Sequence, residues 1–250
     1  MRVLTLNVGN TMISGAVFFD GRLTKRVQTP LAEASSAAGF RRRILAALKG
    51  RFDFAAVASV VPTATPVVLT ETAKAIGFSP RLLTGPAQHT LKIGYKEPGA
   101  LGSDRVAAAL GAHWLYPHQS ALVVDCGTAT TVTALSKDGH VLGGAILPGV
   151  TLWSETLVQR TAQLPRTIPA ISRKLVGRSP AEGIVAGIHF GHVGAIREIT
   201  TRMRREAFGR GKAIVIGTGG HAAQFTLESV FDLIEPDLVL QGLCQFAQSK

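Results

Sequence analysis

The fold is decided by a stretch that the chain carries twice: residues 3–23 read VLTLNVGNTMISGAVFFDGRL, and residues 121–141 read ALVVDCGTATTVTALSKDGHV. Each copy has an apolar run, a polar residue, a glycine turn, a second run and an Asp-Gly turn, which is the pattern of a β-hairpin. A gapless alignment places Asn7 on Asp125 and pairs Leu4 with Leu122, Gly9 with Gly127, Ala16 with Ala134, Asp20 with Asp138 and Gly21 with Gly139. Two hairpins could share these features by chance, but we favour an internal duplication in which one hairpin opens each half of the chain.

Strands and helices are expected to alternate after each hairpin. The pattern predicts a strand at 54–61, helices at 67–76, 103–114 and within 180–208, and a strand at 213–216. Alternation of this kind is typical of an α/β fold. Pro117 interrupts the pattern, so we place the boundary between two similar halves there, with residues 1–117 in the first and residues 118–250 in the second.

The composition is that of a packed globular protein, since 46% of the 250 residues are hydrophobic and 17% are charged. No apolar run approaches the roughly 20 residues that a membrane-spanning helix needs. The first apolar stretch is broken by Asn7 and Gly9, too early for the core of a signal peptide. We therefore expect a cytoplasmic protein with no membrane partner, in which Cys126 and Cys244 are buried, reduced thiols.

The net charge of +11 raises the question of a nucleic-acid partner, because clustered Lys and Arg side chains neutralise phosphates. Two clusters occur, at residues 41–43 and at Arg202, Arg204 and Arg205. Both have apolar neighbours at helical spacing, which is typical of a solvated helix face. No interleaved aromatic residues accompany them, so we do not expect nucleic-acid binding.

The paired glycine turns are the first candidate site. Facing each other across a cleft, the turns at Gly9 and Gly127 would present backbone N–H groups to a polyphosphate from both sides. In the second copy, Asp125 suits Mg²⁺, and the hydroxyls of Thr128 and Thr130 suit phosphate oxygens. An Asp-x-Gly-Thr sequence alone also occurs as a plain turn, so the nucleotide interpretation depends on the second copy.

A third glycine cluster, at residues 217–220, follows the strand predicted at 213–216. With Ala222 it also fits a relaxed dinucleotide-binding fingerprint, but such a domain needs several further βα units and only about thirty residues follow. We expect Gly219 and Gly220 instead to pack against the adenosine part of a nucleotide.

The segment Gly102-Ser103-Asp104-Arg105 is the candidate for catalysis. Structurally, Ser103 or Asp104 would cap the helix that follows, with Arg105 in its first turn. Functionally, an Asp at a helix start can accept the proton of an attacking hydroxyl in phosphoryl transfer, and Arg105 can bind a substrate carboxylate. Elsewhere, His189 and His192 are spaced to share a helix face, but no third zinc ligand is obvious. The chain has no P-loop.

Taken together, the motifs resemble those of the type III pantothenate kinases over nearly the whole chain. In order they are Asn7-x-Gly9-Asn10-Thr11, residues 58–62 (ASVVP), Gly102-x-Asp104-Arg105, Asp125-x-Gly127-Thr128-Ala129-Thr130, residues 142–149 (LGGAILPG), Leu164-Pro165 and Thr218-Gly219-Gly220. The resemblance implies an actin-like ATPase fold of two RNase H-like halves, and a homodimer. It also implies transfer of a phosphoryl group from ATP to pantothenate, the first step of coenzyme A synthesis, with Mg²⁺ and K⁺ or NH₄⁺.

The same resemblance implies roles for particular residues. Asp104 would be the general base, and Tyr95, Gly102, Ser103 and Arg105 would shape the pantothenate pocket. Asp125 would serve the metal. The ATP phosphates and adenosine would meet Asn7, Gly9, Asn10, Thr11, Gly127, Thr128, Thr130, Gly219 and Gly220.

Two positions depart from the family pattern. Asp is usual where Asn7 stands, and the change removes a carboxylate that would help to organise Mg²⁺ and ATP. Thr is usual where Pro180 stands, and Pro offers neither a hydroxyl nor an N–H to a substrate pocket across the dimer. Ser179 is the neighbour that could substitute. These changes leave two alternatives open: a catalytically impaired paralogue with a binding or regulatory role, or a kinase for a different hydroxy acid.

Overall fold

The computed structural model describes residues 1–249, which form two compact units. The first comprises residues 1–117, 139–141 and 237–249, and the second comprises residues 118–138 and 142–236. The chain passes from the first unit to the second after Pro117, where the sequence analysis places the boundary between the two halves. The units are nevertheless a different partition, because the C-terminal helix belongs to the first unit.

The first unit is built on a five-stranded sheet of order β3-β2-β1-β4-β5. Its strands are β1 (Arg2–Val8), β2 (Met12–Phe19), β3 (Arg22–Pro30), β4 (Phe54–Ser59) and β5 (Arg81–Leu82). The short β6 (Lys92–Ile93) lies outside this sheet and pairs in parallel with His140 and Val141. Its helices are α1 (Leu31–Ala34), α2 (Ala37–Phe40), α3 (Thr65–Ile76) and α4 (Ser103–Leu115), with a π-helical turn at Arg41–Leu45 and a 3₁₀ turn at Pro98–Ala100. β1 lies antiparallel to β2 and parallel to β4.

The second sheet has six strands in the order β11-β10-β7-β8-β9-β6, and the second unit contains the first five of them apart from the first two residues of β9. The strands are β7 (Ser120–Cys126), β8 (Ala129–Leu135), β9 (His140–Pro148), β10 (Ala213–Thr218) and β11 (Leu233–Ile234). The helices are α5 (Val150–Arg160) and α6 (Pro180–Phe208), with a 3₁₀ turn at Ala222–Glu228. α6 covers the predicted range 180–208, and it begins on Pro180 because the first helical position needs no N–H donor.

Helix α7 (Leu238–Gln248) packs against α4 within the first unit, and two glycines make this possible. A Cβ atom at Gly242 would collide with the carbonyl oxygen of Ala107, and one at Gly111 would collide with that of Leu238. The two helix backbones therefore approach more closely than any side chain permits. Arg81 binds the C-terminal end of α7, where its guanidinium donates a hydrogen bond to the carbonyl of Phe246 at 2.7 Å.

The duplication is visible in the strands. β1 and β7 have the same length and the same order of buried and half-buried residues, and β3 and β9 also match in length. The gapless alignment is wrong in the middle strand, however. Leu4 pairs with Val17, whereas Leu122 pairs with Ala134, so Ala134 corresponds to Val17 and not to Ala16. The second turn is one residue shorter, and an irregularity between Val17 and Phe18 in the first copy absorbs the difference.

Each unit has its own apolar core. In the first, Leu4, Leu6, Val8 and Ile13 of the hairpin pack with Phe40 and Ile44. In the second, Leu122, Val124 and Val132 pack with Ile188, Ile196 and Phe225. Cys126 and Cys244 are buried free thiols. Within residues 1–249, none of the helices combines the length and the apolar character that crossing a bilayer requires.

Candidate active site

The first glycine turn lies between β1 and β2. The backbone N–H of Gly9 donates to the carbonyl of Met12 at 2.9 Å and closes the turn, which leaves Asn10 and Thr11 exposed at its tip. Asn7 stands just before the turn, and its Oδ1 atom is buried with no hydrogen-bond partner. A buried acceptor without a partner is costly, so this oxygen is suited to a ligand such as a cation or a water molecule bound to one.

The catalytic candidate lies at the same end of the first sheet. Val8 of β1 pairs with Ser59 at the end of β4, and the N–H of Val60 donates to the carbonyl of Val8 at 3.0 Å. The hydroxyl of Ser103 donates to the carbonyl of Ser59 at 2.9 Å, which ties the start of α4 to the end of β4. The structure thus brings the Asn7 turn and the Asp104 segment to one edge of the sheet, where ligands of α/β folds usually bind.

The expectation that Ser103 or Asp104 caps α4 is wrong. Gly102 occupies the cap position, no side chain caps the helix, and Ser103 is the first helical residue. The hydroxyl of Ser103 is instead used on β4. The Oδ1 atom of Asp104 accepts from the N–H of Arg105 at 2.7 Å. Capping therefore does not explain why an Asp stands at this position.

The carboxylate of Asp104 lies directly over Gly102. A Cβ atom at Gly102 would be 2.7 Å from Oδ1 of Asp104, closer than real contacts of this kind. Burial raises the pKa of Asp104, while the N–H and the charge of Arg105 partly oppose the rise. A carboxylate with a raised pKa is a stronger base, which is the property that a general base for an alcohol requires.

Arg105 is buried beside Tyr95, 10 residues earlier in the chain. Its Nη1 donates to the hydroxyl of Tyr95 at 2.8 Å, and its guanidinium carbon lies 5.7 Å from the centroid of the tyrosine ring. Only 7% of Arg105 is exposed. Because a guanidinium cannot give up its charge, a buried one is suited to an anionic partner such as a substrate carboxylate.

The second glycine turn lies between β7 and β8, and glycines hold it from two directions. The N–H of Gly127 points to the carbonyl of Ala129 at 3.2 Å, and the N–H of Gly149 donates to the carbonyl of Thr128 at 3.0 Å. A Cβ atom at Gly149 would collide with the carbonyl oxygens of Gly127 and Thr128. The start of α5 therefore packs on the backbone of the turn.

The Gly219-Gly220 turn also packs on this hairpin. Gly219 has a φ of +87°, and a Cβ atom there would meet the carboxylate of Asp125 and lie 2.8 Å from the backbone of Cys126. The N–H of His221 donates to the carbonyl of Cys126 at 3.0 Å. The structure thus joins the Asp125 turn and the third glycine cluster, which the sequence had linked only through the nucleotide hypothesis.

Ser179 has a structural task at the start of α6. Its hydroxyl oxygen accepts from the N–H of Glu182 at 3.2 Å, while the carboxylate of Glu182 accepts from the N–H of Arg178 at 2.7 Å. This arrangement is close to a capping box, which is written in the sequence as Ser-x-x-Glu. The role of Ser179 toward a substrate stays a prediction.

The fit to a metal rests on few donors. Among residues 1–249, no group of three His, Cys, Asp or Glu side chains is placed to hold a metal ion. His189 instead lies 3.3 Å from the carboxylate of Glu228 and stacks on Phe225, which leaves the zinc interpretation without support in the described chain. Mg²⁺ needs only one or two protein oxygens beside phosphate and water, and the carboxylate of Asp125 is an oxygen donor of that kind.

Sequence reasoning missed the supporting roles of Ser59, Gly149, His192 and His221 at the turns and the Asp104 segment, and it considered His192 only as a zinc ligand. Ser59, Gly149 and His221 act mainly through their backbones, and their contacts cross from one element to another. The only sequence indication was the position of Ser59 and Gly149 within motifs shared with a family. His192 carried no such indication.

The two-unit architecture, with a β-meander opening each sheet, is the actin-like ATPase fold. An activator of 2-hydroxyisocaproyl-CoA dehydratase from Clostridium difficile, solved with bound ADPNP, matches 99% of this chain and 94% of its own, with a TM-score of 0.57 and 14% identity. Component A of (R)-2-hydroxyglutaryl-CoA dehydratase from Acidaminococcus fermentans matches 99% and 96%, with a TM-score of 0.55 and 14% identity. At these identities the likeness concerns the fold alone.

Sequence relatives narrow the class to a family. The model of the type III pantothenate kinase family matches residues 3–202. A type III pantothenate kinase of Legionella pneumophila is 35% identical over 247 residues, and one of Elusimicrobium minutum is 36% identical over 249 residues, with 96% of both chains covered in each case. The chain belongs to the type III pantothenate kinase family.

Proposed function

We propose that the protein transfers the γ-phosphoryl group of ATP to the 4'-hydroxyl group of pantothenate and so forms 4'-phosphopantothenate and ADP, the first step of coenzyme A synthesis. The observation that carries this proposal is Asp104, a half-buried carboxylate with a raised pKa that lies at one edge of the sheet with the first glycine turn. Phosphoryl transfer to an alcohol needs such a group to accept the proton of the attacking hydroxyl.

Within the first unit, Asp104 would receive the hydroxyl proton while Arg105 holds the carboxylate of pantothenate. Tyr95 supports this role because its hydroxyl orients the guanidinium at 2.8 Å. Gly102 leaves room for the Asp104 carboxylate, and Ser103 fixes the start of α4 to β4. Asp104 and Arg105 are consecutive residues in the first turn of α4. A pantothenate molecule bound by Arg105 would therefore have its hydroxyl held close to the carboxylate of Asp104.

ATP would be held by the glycine turns. Gly9, Asn10 and Thr11 in the first unit, and Gly127 and Thr128 in the second, would offer N–H and O–H donors to phosphate oxygens. Thr130 would act on the phosphates indirectly, because its buried hydroxyl lies 2.8 Å from Nε2 of His192 and is used within the protein. Gly219 and Gly220 would meet the adenosine part. When bound, Mg²⁺ would neutralise charge on the phosphate oxygens, with Asp125 as its protein ligand, and K⁺ or NH₄⁺ would serve as the monovalent ion.

We further propose a homodimer formed through the second unit. Large apolar side chains stand exposed along the outer face of β9 and in the segment after α5: Leu142, Ile146, Ile168, Ile171, Leu175 and Val176. Ile146 is 67% exposed and Val176 is 81% exposed, which is unfavourable in water for aliphatic residues of this size. A second copy of the chain would cover them.

A pantothenate-dependent assay of ADP release in Mg²⁺ and K⁺ tests the proposal. We expect ADP formation with pantothenate, none without an acceptor, and little with hydroxy acids of other shapes. Turnover with another hydroxy acid in preference to pantothenate would move the protein to a different substrate. Absence of turnover with every acceptor, while ATP still binds, would favour the impaired paralogue that the neutral side chain of Asn7 leaves open.

A further inference from the structure

The second glycine turn is supported by His192 of α6, a role that the sequence did not predict. Thr130 is buried near the start of β8, directly after the turn, and its hydroxyl lies 2.8 Å from Nε2 of His192. The two residues are 62 positions apart in the chain. His192 lies on α6 and is fully buried.

The ring of His192 is fixed by its neighbours. It stacks on Phe225 at 5.5 Å between centroids, with 13° between the planes, and it meets the edge of Trp153 at 5.2 Å and 72°. Burial lowers the pKa of His192 to about 4, and the charge of His221 contributes in the same direction. The imidazole is therefore neutral near pH 7, with one ring nitrogen carrying a hydrogen and the other an accepting lone pair.

The surroundings favour one tautomer. Nδ1 of His192 is buried without a hydrogen-bond partner among the described residues. An unpaired N–H there would be rarer than an unpaired lone pair, so the hydrogen belongs on Nε2. The hydroxyl of Thr130 also forms a hydrogen bond with Cys126. Thr130 is the donor, because this bond opposes the rise that burial causes in the pKa of the Cys126 thiol. The chain of donors then runs from Nε2–H of His192 to Oγ1 of Thr130, and from the Thr130 hydroxyl to Sγ of Cys126.

We propose that His192 is a positioning residue for the ATP-phosphate turn: it fixes the hydroxyl of Thr130 and, through it, Cys126, which stands between Asp125 and Gly127. This inference rests on the proposed nucleotide role of the turn. A hydroxyl that is free to rotate offers its hydrogen in several directions, whereas one that accepts from His192 and donates to Cys126 locks the first residues of β8 to the last residues of β7. The turn between them is then preorganised for phosphate.

Three variants separate the hydrogen bond from the packing. His192→Phe keeps a ring for Phe225 and Trp153 but removes the donor. His192→Gln restores an N–H donor at a similar reach. Thr130→Val keeps the shape of the threonine but removes the hydroxyl. The matched control is His189→Phe, which changes another buried histidine on the same helix that also stacks on Phe225, but which bonds Glu228 and not the turn.

The measurements are the dissociation constant for ATP, by direct titration of the full chain, and the KM values for ATP and pantothenate. We expect His192→Phe and Thr130→Val each to weaken ATP binding about three- to tenfold, the range that one lost hydrogen bond gives, with the KM for pantothenate unchanged. The double variant should be no weaker than either single variant, because both remove the same bond. His192→Gln should recover most of the loss, and His189→Phe should bind ATP normally.

Two outcomes overturn this inference alone: ATP binding by folded His192→Phe or Thr130→Val that equals the wild type, or additive losses in the double variant. If His192→Phe fails to fold, Thr130→Val and His192→Gln carry the same comparison. A wild-type protein that binds no ATP would overturn the proposed function together with this inference. Normal ATP binding without transfer to pantothenate would overturn the substrate assignment and leave the role of His192 standing.

Discussion

Replacing Gly102 with alanine should remove most of the activity while leaving the fold in place. The added Cβ would be 2.7 Å from Oδ1 of Asp104, about half an ångström inside an ordinary contact between these atoms. Only the side chain of Asp104 has to give way, and its shift weakens the 2.7 Å bond that Oδ1 accepts from the N–H of Arg105. The other near contact, with the side chain of Val60 at 3.7 Å, is relaxed.

We expect a large effect of Gly102→Ala on kcat and a small one on stability, because the substitution displaces the Asp104 side chain and leaves the backbone of α4 in place. A reacting group displaced by about 1 Å can cost about 100-fold in rate, so a shift of roughly half that distance should lower kcat about 10-fold or more. The stability should change by less than about 1 kcal/mol, because the backbone of Gly102, at φ −53° and ψ 138°, is open to alanine and the lost glycine freedom offsets part of the cost.

The assay is steady-state ADP release with pantothenate, together with thermal unfolding. Gly99→Ala is the matched control, since it lies in the same segment and its Cβ would have nothing within 4 Å. We expect the control to keep the wild-type kcat. A Gly102→Ala protein with wild-type kcat would refute the reasoning that the position of the Asp104 carboxylate sets the rate.

Four further predictions concern other residues. The value of kcat/KM should fall as the pH is lowered through the raised pKa of Asp104, because only the ionised carboxylate accepts a proton; a pH–rate profile that stays flat down to the usual range of aspartate would contradict this. Gly219→Ala should lower the free energy of unfolding by about 1–3 kcal/mol and weaken ATP binding, since its φ is +87° and its Cβ meets Asp125; chemical denaturation and ATP titration measure both effects. Asn7→Asp should lower the Mg²⁺ concentration needed for half-maximal turnover. It should also lower the Tm in EDTA, because the new carboxylate is then buried without a counter-charge. An unchanged Mg²⁺ requirement would contradict a metal role for position 7. Ile146→Glu should shift the protein toward the monomer in sedimentation velocity, and an unchanged dimer would place the interface elsewhere.

Much of the fold could be predicted from the sequence because its elements are locally encoded. The two hairpins follow from apolar runs around Gly and Asp-Gly turns, and α6 follows from the helical pattern of residues 180–208. The register of the middle strands could not be read in this way. Ala134 faces Leu122 because the second turn is one residue shorter, and a change in turn length leaves no mark in a gapless comparison.

The assignment of α7 to the first unit depends on contacts between residues that are distant in the chain. Gly111 and Gly242 allow α4 and α7 to touch through their backbones, but a glycine inside a helix has no partner that the sequence identifies. A division of the chain at Pro117 alone therefore leaves α7 with the second half.

The sequence singles out the candidate carboxylates of the site, but it does not identify the residues that hold them in position. Asp104 and Asp125 stand in short motifs with a chemical rationale. The cap position of Gly102, the contact of Gly219 with Asp125 and the bond from His192 to Thr130 depend on tertiary packing. The raised pKa of Asp104 is of the same kind, because burial is its largest cause.

The most direct test of the account is the mass of the product formed by the wild-type chain and by Asp104→Asn from pantothenate and ATP. We predict that the wild type adds one phosphoryl group to pantothenate. Asp104→Asn, with an unchanged circular dichroism spectrum and unchanged ATP binding, should form little or no product. Phosphopantothenate produced by Asp104→Asn at the wild-type rate would contradict the assignment of this half-buried carboxylate as the base.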